Sequence, residues 1–456
     1  MIAAGHTWHH EWVLRGDAVV TPDGIRPAAV VVRGQTIAAV LDIADAPIGM
    51  TVIDAGDKLV LPGLVDSHVH INEPGRTDWE GFETATRAAA AGGVTTLIDM
   101  PLNSSPVTTT VTALNVKRDA AAGKLWVDVG FHAGVVPGNA ADVQPLIDAG
   151  VCAFKAFLCH SGIDEFPNAT EADLRAVMPI LAKAGLPLFV HAELVAPLPG
   201  WVLERFDANP RSYLAYLLTR PPEWEREAIQ LLVRLCREYR CHIHVVHLAV
   251  TTAALPLISI AKSEGLPFTF ETCPHYLTFV AGEVPDGDTR FKCAPPIRGR
   301  QERDRLRTTV IDGSLHTIGS DHSPAPPGLK HLDDGDFRAA WGGIASLQLL
   351  LPASWTAVPD LGLFPALTSR PAALVGLGTR KGSIAPGFDA DLVVFDPDAT
   401  FTVDAGKLEH RHKATPYDGR TLRGVVETTY LRGKPIYDKG QFIGEPSGQT
   451  LRRGSR

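Results

Sequence analysis

The chain has 456 residues, 45% hydrophobic and 21% charged, with 51 acidic against 43 basic side chains and a net charge of -8. That is a globular composition, too long for one ordinary small domain, and its acidity argues against nucleic acid as the main partner. No apolar run approaches the roughly 18 residues of a membrane span, Met1 to Trp12 has no apolar signal core, and six cysteines without a C-x-x-C pair read as reduced cytosolic thiols.

In chain order, short apolar runs come first, at 12–14, 18–20, 29–32 and 36–40. The turn signals Pro22-Asp23-Gly24 and Arg33-Gly34-Gln35 separate them. This predicts a small antiparallel β unit. The same texture returns at 391–395 and 425–431, so residues 1–57 and 381–456 are expected to form one β domain, with 58–380 inserted between them.

The inserted part is predicted as α/β. Residues 58–65 are mostly apolar and read as one buried strand that leads into His68 and His70. Strand-like runs follow at 94–100, 126–131, 153–157, 188–191, 244–247, 268–271 and 315–321. Helical patterns lie between them, as at 79–91, 171–184 and 223–239, the first closed by Gly92-Gly93. Eight strand–helix units predict a (β/α)₈ barrel.

Functional side chains in such a barrel sit where strands end. His68 and His70, two apart, point the same way. The other ends bring Lys155, His191, His247 and Asp321. Four imidazoles and a carboxylate form a metal-binding set. Lys155 is flanked by apolar residues, where an unpaired ammonium is costly. The residues alone leave three outcomes open: snorkelling to the rim, pairing with a carboxylate, or carbamylation by CO₂ to an anion that bridges two cations. With that bridge the set would serve two divalent ions, which activate water and polarise a carbonyl. Asp321 would ligate one ion and carry the proton from the attacking water to the leaving nitrogen.

The run from Pro62 to His70 resembles the signature of the cyclic amidohydrolases, the group of dihydroorotases, hydantoinases and allantoinases. Other landmarks are Arg87 to Thr96, Phe154-Lys155, His191-Ala192-Glu193, Cys273-Pro274-His275-Tyr276, Cys293 to Arg298, Ser320 to Pro324 and Gly382 to Leu392. The likeness covers nearly the whole chain. It implies a TIM barrel with a small flanking β-sandwich, zinc as the usual metal, carboxylysine at Lys155, and a cytoplasmic homotetramer. Asn72 to Thr84, Asp99 to Ser104 and Glu409 to Tyr417 are more similar to allantoinases than to the other branches. Allantoinases hydrolyse the cyclic amide of allantoin to allantoate in purine breakdown.

Dihydroorotases carry an arginine two residues after the second histidine, where it clamps a substrate carboxylate. Here that residue is Asn72, suited to a neutral ureido group. The resemblance also implies substrate contacts at Asn103 and at the backbone of Ala294 and Gly342. Some relatives have serine at the position of Ala294, and a backbone contact is indifferent to that change. A hydantoinase, dihydropyrimidinase or dihydroorotase would share the metal ligands. Non-enzymatic assembly members of the family have lost ligands, whereas all six positions are filled here.

Overall fold

The computed structural model describes residues 11–454. The signal-free reading of the first residues concerns mostly Met1 to His10, which lie outside the described residues. The described chain opens with β1 (Glu11–Thr21), β2 (Gly24–Arg33), β3 (Thr36–Leu41), β4 (Thr51–Asp54) and β5 (Leu59–Pro62). Then come β6 (Leu64–Val69), β7 (Val94–Asp99), β8 (Asp128–Phe131), β9 (Ala133–Gly134) and β10 (Phe154–Phe157). The middle ends with β11 (Leu188–His191), β12 (Ile243–Val245), β13 (Phe268–Thr272) and β14 (Thr317–Ile318). The last strands are β15 (Leu392–Thr402), β16 (Thr421–Leu431), β17 (Lys434–Asp438) and β18 (Gln441–Phe442).

Both chain ends build one mixed sheet in the order β18-β17-β16-β15-β5-β1-β2-β3, with β4 beside β1. The middle is α/β with parallel sheets: β6-β7-β8, and β9 through β14 in sequence. Single backbone bonds link the edges of these two sheets. Cys152 N–H donates to the Phe131 carbonyl at 2.8 Å, and His70 N–H donates to the His322 carbonyl at 2.8 Å. Strands β6, β7, β8, β10 and β11 are buried along their whole length, so none shows the apolar–polar alternation of a half-exposed strand. No helix among the described residues is long and apolar enough to cross a membrane.

The helices follow their local signals. Glu171–Ala184 begins with a capping box between Thr170 and Asp173 and stops at Gly185, whose φ of 67° suits glycine. Its buried stripe is Leu174, Val177, Met178 and Leu181, spaced for one helical face.

Residues 58–65, expected as one strand, are two. Strand β5 pairs with β1 and β15 in the end sheet, whereas β6 pairs with β7 in a parallel sheet. Gly63 is the junction. A Cβ there would overlap Thr95 and Asp391, and its N–H bonds the Asp391 carbonyl at 2.8 Å. Close backbone approach, not turn geometry, requires glycine.

Nearby, the Lys381 ammonium is fully buried among Asp128, Asp389 and Asp391 at 2.7, 2.8 and 2.7 Å. Arg432 also pairs with Asp128. This cluster ties β8 to β15 and β16.

Candidate metal centre

The carboxyl ends of the parallel strands converge. His68 lies on β6 and His70 just beyond it, Lys155 on β10, His191 at the end of β11, His247 after β12 and Asp321 after β14. Asp321 Oδ1 is 3.3 Å from His68 Nε2 and 3.6 Å from His70 Nε2. The rings of His68 and His247 are 5.4 Å apart, and those of His191 and His247 4.6 Å. His247 and Asp321 sit at φ of 41° and 44°, a region non-glycine residues avoid. Such backbone persists where surrounding contacts over-determine it, as at functional sites.

Two buried carboxylates, missed in the sequence reading as site residues, set the imidazoles. Glu271 on β13 accepts from His68 Nδ1 at 2.6 Å, which turns Nε2 toward Asp321. Burial opposes its ionisation, but His68 and His244 outweigh that and lower its pKa to about 2. Glu193 accepts from His191 Nε2 at 2.6 Å and is itself gripped by Arg220, whose Nε lies 3.0 Å from Oε1. The triplet His191-Ala192-Glu193 carries this pairing in its spacing. The signal for Glu271 was weaker, because its partner histidine lies on a distant strand. Phe157 stacks on His191, with ring centroids 4.7 Å apart.

The donor set fits divalent cations. His68 Nε2, His70 Nδ1, His247 Nδ1 and Lys155 Nζ are buried without a hydrogen-bond partner. Such orphans are rare unless something else satisfies them. Ligand atoms of His68, His247 and Asp321 lie within 4.8 Å of one another. Burial holds His70 and His247 below the usual imidazole range, so they are neutral and able to donate lone pairs. Burial also pulls the Lys155 amine down to about 8. For Asp321, burial works against the charge, but His68 and His70 hold the carboxyl well below its ordinary range.

A cleft of about 460 Å³ opens over this cluster. His68, His70, His191, His247, Asp321, Asn103, Ala294 and Gly342 all line it. Lys155 is buried and does not reach the cleft wall. Asn72 is also fully buried and set apart from the lining. Its amide donates to the Pro324 carbonyl at 3.3 Å, and its Oδ1 has no partner. At the rim Trp79 meets Trp341 edge-on at 4.8 Å, and Arg76 bonds the Asn103 carbonyl at 3.0 Å.

The model of the amidohydrolase family matches residues 59–436. The chain belongs to the amidohydrolase family. Members of this family depend on metal. An allantoinase of Streptomyces avermitilis is 50% identical, covering 97% of this chain and 99% of that one. An allantoinase of Saccharomyces cerevisiae is 41% identical, over 96% of this chain and 98% of its own. Among solved structures, the L-hydantoinase (dihydropyrimidinase) of Arthrobacter aurescens superposes with a TM-score of 0.90 at 31% identity, covering 97% and 100% of the two chains.

Proposed function

We propose that this amidohydrolase is an allantoinase, which hydrolyses the cyclic amide of allantoin to allantoate in purine breakdown. The observation that carries the reading is 50% identity to an allantoinase across 97% of the chain. The converging strand-end residues supply the chemistry such a reaction needs.

His68, His70, His191, His247 and Asp321, with Lys155 as carboxylysine, are the residues that would hold two divalent ions, zinc by family expectation. Bound there, such ions would acidify water and polarise a carbonyl. The chain's own groups do the rest. Water oxygen adds to the ring amide carbon and the C–N bond breaks. The Asp321 carboxylate takes the proton that water loses and delivers it to the departing nitrogen. That balance leaves a free N–H and a carboxylic acid, which loses its proton to solvent to become the carboxylate. Glu271 and Glu193 hold the His68 and His191 rings in the required tautomers. Asn103 and the backbone of Ala294 and Gly342 meet the substrate's carbonyl and N–H groups. Asn72, removed from the wall, acts on specificity by the absence of a guanidinium.

In the same reading, residues 58–380 form a closed (β/α)₈ barrel, and 1–57 with 381–456 a flanking β-sandwich. The enzyme is a cytoplasmic homotetramer. A substrate panel on metal-replete protein tests the function, with allantoin, dihydroorotate, hydantoin and dihydrouracil compared. Allantoin should be opened and dihydroorotate left nearly untouched. Comparable turnover of those two would sink the allantoinase reading. Preference for hydantoin or dihydrouracil would move it to the branch of the structural neighbours.

A further inference from the structure

Lys330 is turned away from the cleft; burial and the neighbouring Lys292 pull its amine down to about 7, and the ammonium form is favoured by the three carbonyls that accept from it. It is only 4% exposed and does not line the cavity. Its Nζ donates to the carbonyls of Gly343, Trp341 and Lys292 at 2.8, 3.0 and 3.4 Å. Three carbonyls match the three N–H bonds of an ammonium, which has no lone pair to offer. Lys292 repeats the arrangement beside it, donating to the carbonyls of Ala340 and Arg338. Thus the carbonyls of this rim segment are drawn toward lysine cations.

A planar trans peptide points its C=O and N–H in opposite directions. The Trp341 carbonyl is drawn to Lys330, behind the wall. The N–H of the same peptide belongs to Gly342, which lines the cleft. The neighbouring N–H groups are used inside the protein: Trp341 donates to Leu329 at 2.6 Å and Gly343 to Lys292 at 2.8 Å. Gly342 N–H has no partner among the described residues. Open space surrounds the position where a Gly342 side chain would start. A ligand can therefore come up to this donor.

We infer that Lys330 is a positioning residue, whose ammonium fixes the Trp341–Gly342 peptide so that the Gly342 N–H donates to a carbonyl oxygen of the cyclic amide substrate. A cation bonded to the carbonyl end also polarises the peptide, strengthening the donor at its other end. The inference rests on the proposed cyclic-amide hydrolysis, but not on which ring is the best substrate.

The test uses full-length, metal-replete enzyme and whichever ring of the panel the unaltered protein turns over fastest. Lys330→Met removes the cation and keeps an apolar stem. Gly342→Pro deletes the N–H with Lys330 intact. Each should raise KM about tenfold, the worth of one lost hydrogen bond to substrate, with kcat changed much less. In the double variant KM should rise little beyond either single change, because both act through one donor. Metal content measured by emission spectroscopy should stay at the unaltered level in every variant. Unchanged KM in Lys330→Met, multiplied effects in the double variant, or metal loss matching the activity loss would each overturn the inference. If Lys330→Met does not fold, unchanged KM in Gly342→Pro overturns it and a raised KM supports it. A protein that opens none of the rings refutes the proposed function instead, so the two failures stay distinct.

Discussion

An amine buried without a partner is costly, and Lys155 Nζ is buried, unpartnered and surrounded by histidines. Burial lowers its affinity for a proton, which leaves neutral amine available to take up CO₂. Metal loading of stripped protein should therefore improve when bicarbonate is added. Lys155→Ala should hold fewer ions and be nearly inactive. Lys155→Arg should fail as well, since guanidinium stays protonated. Intact-mass analysis without acid checks the modification directly, and an unmodified amine in loaded, active protein would rule it out. Asp321 has the complementary task. Its carboxylate is held ionised by His68 and His70, so Asp321→Asn should keep part of the metal and lose roughly 10²-fold or more in kcat. Steady-state rates with allantoin check this, and near-normal kcat would reduce Asp321 to a ligand.

At the scale of elements, buried charge joins strands that sequence could not assign to one another. Lys381 is clamped by Asp128 at the start of β8 and by Asp389 and Asp391 before β15. Burial lowers the pKa of this lysine, but Asp391, Asp128 and Asp389 outweigh it and hold the ammonium far above its ordinary range. A raised folded pKa means this stabilisation is fully present below the unfolded lysine pKa and is lost only as pH climbs through the folded value. It should be flat across neutral pH. Lys381→Met leaves Asp391 without a cation, and Asp128 and Asp389 with only Arg432 and Arg380, which costs about 3–5 kcal/mol at neutral pH. Those carboxyls would then prefer protons, so the variant should recover stability relative to the parent as pH falls toward 5. Denaturant melts at pH 5 and pH 8 measure it; an equal deficit at both would exclude the charge explanation.

The same scale shows what was legible. Each of the eight expected runs of the middle segment contains strand, and most of these strands are wholly buried, although the run 58–65 divides into two and the run 315–321 keeps only Thr317–Ile318. The division of 58–65 was not legible. Leu61 and Leu64 are equally buried, and an apolar run does not say which sheet it enters. Histidines at strand ends announced the site by type and position. Glu271 stayed silent, since its meaning comes from His68, 203 residues away. Asn72 was read by type as a substrate contact, yet its fold places it with Pro324, outside the wall.

Across the whole molecule, stability and chemistry lie at opposite ends of the parallel strands. The cleft sits over the carboxyl ends. The chain's last described segment runs past the amino ends. Gly448 N–H bonds the Leu125 carbonyl at 2.7 Å, Val129 N–H bonds Gln449 at 2.9 Å, and Leu451 N–H returns to Val129 at 2.8 Å. Gln449 N–H also bonds Asp128 Oδ1 at 2.8 Å, inside the Lys381 cluster. Leu451 is 2% exposed, and Arg453 spans the carbonyls of Cys152, Leu374 and Gly185. Leu125 precedes β8, Cys152 precedes β10 and Gly185 precedes β11, so the tail meets these three strands from their amino side. Ending the chain at residue 446 should remove one buried leucine and this ladder, at a cost of about 2–5 kcal/mol. It should lower Tm while KM for allantoin stays within about twofold, because no described residue of the tail lines the cleft. Thermal melts and initial rates, taken on the same preparation well below the melting range, decide it. A large change in KM with unaltered Tm would mean that the tail governs the cleft rather than the frame beneath it.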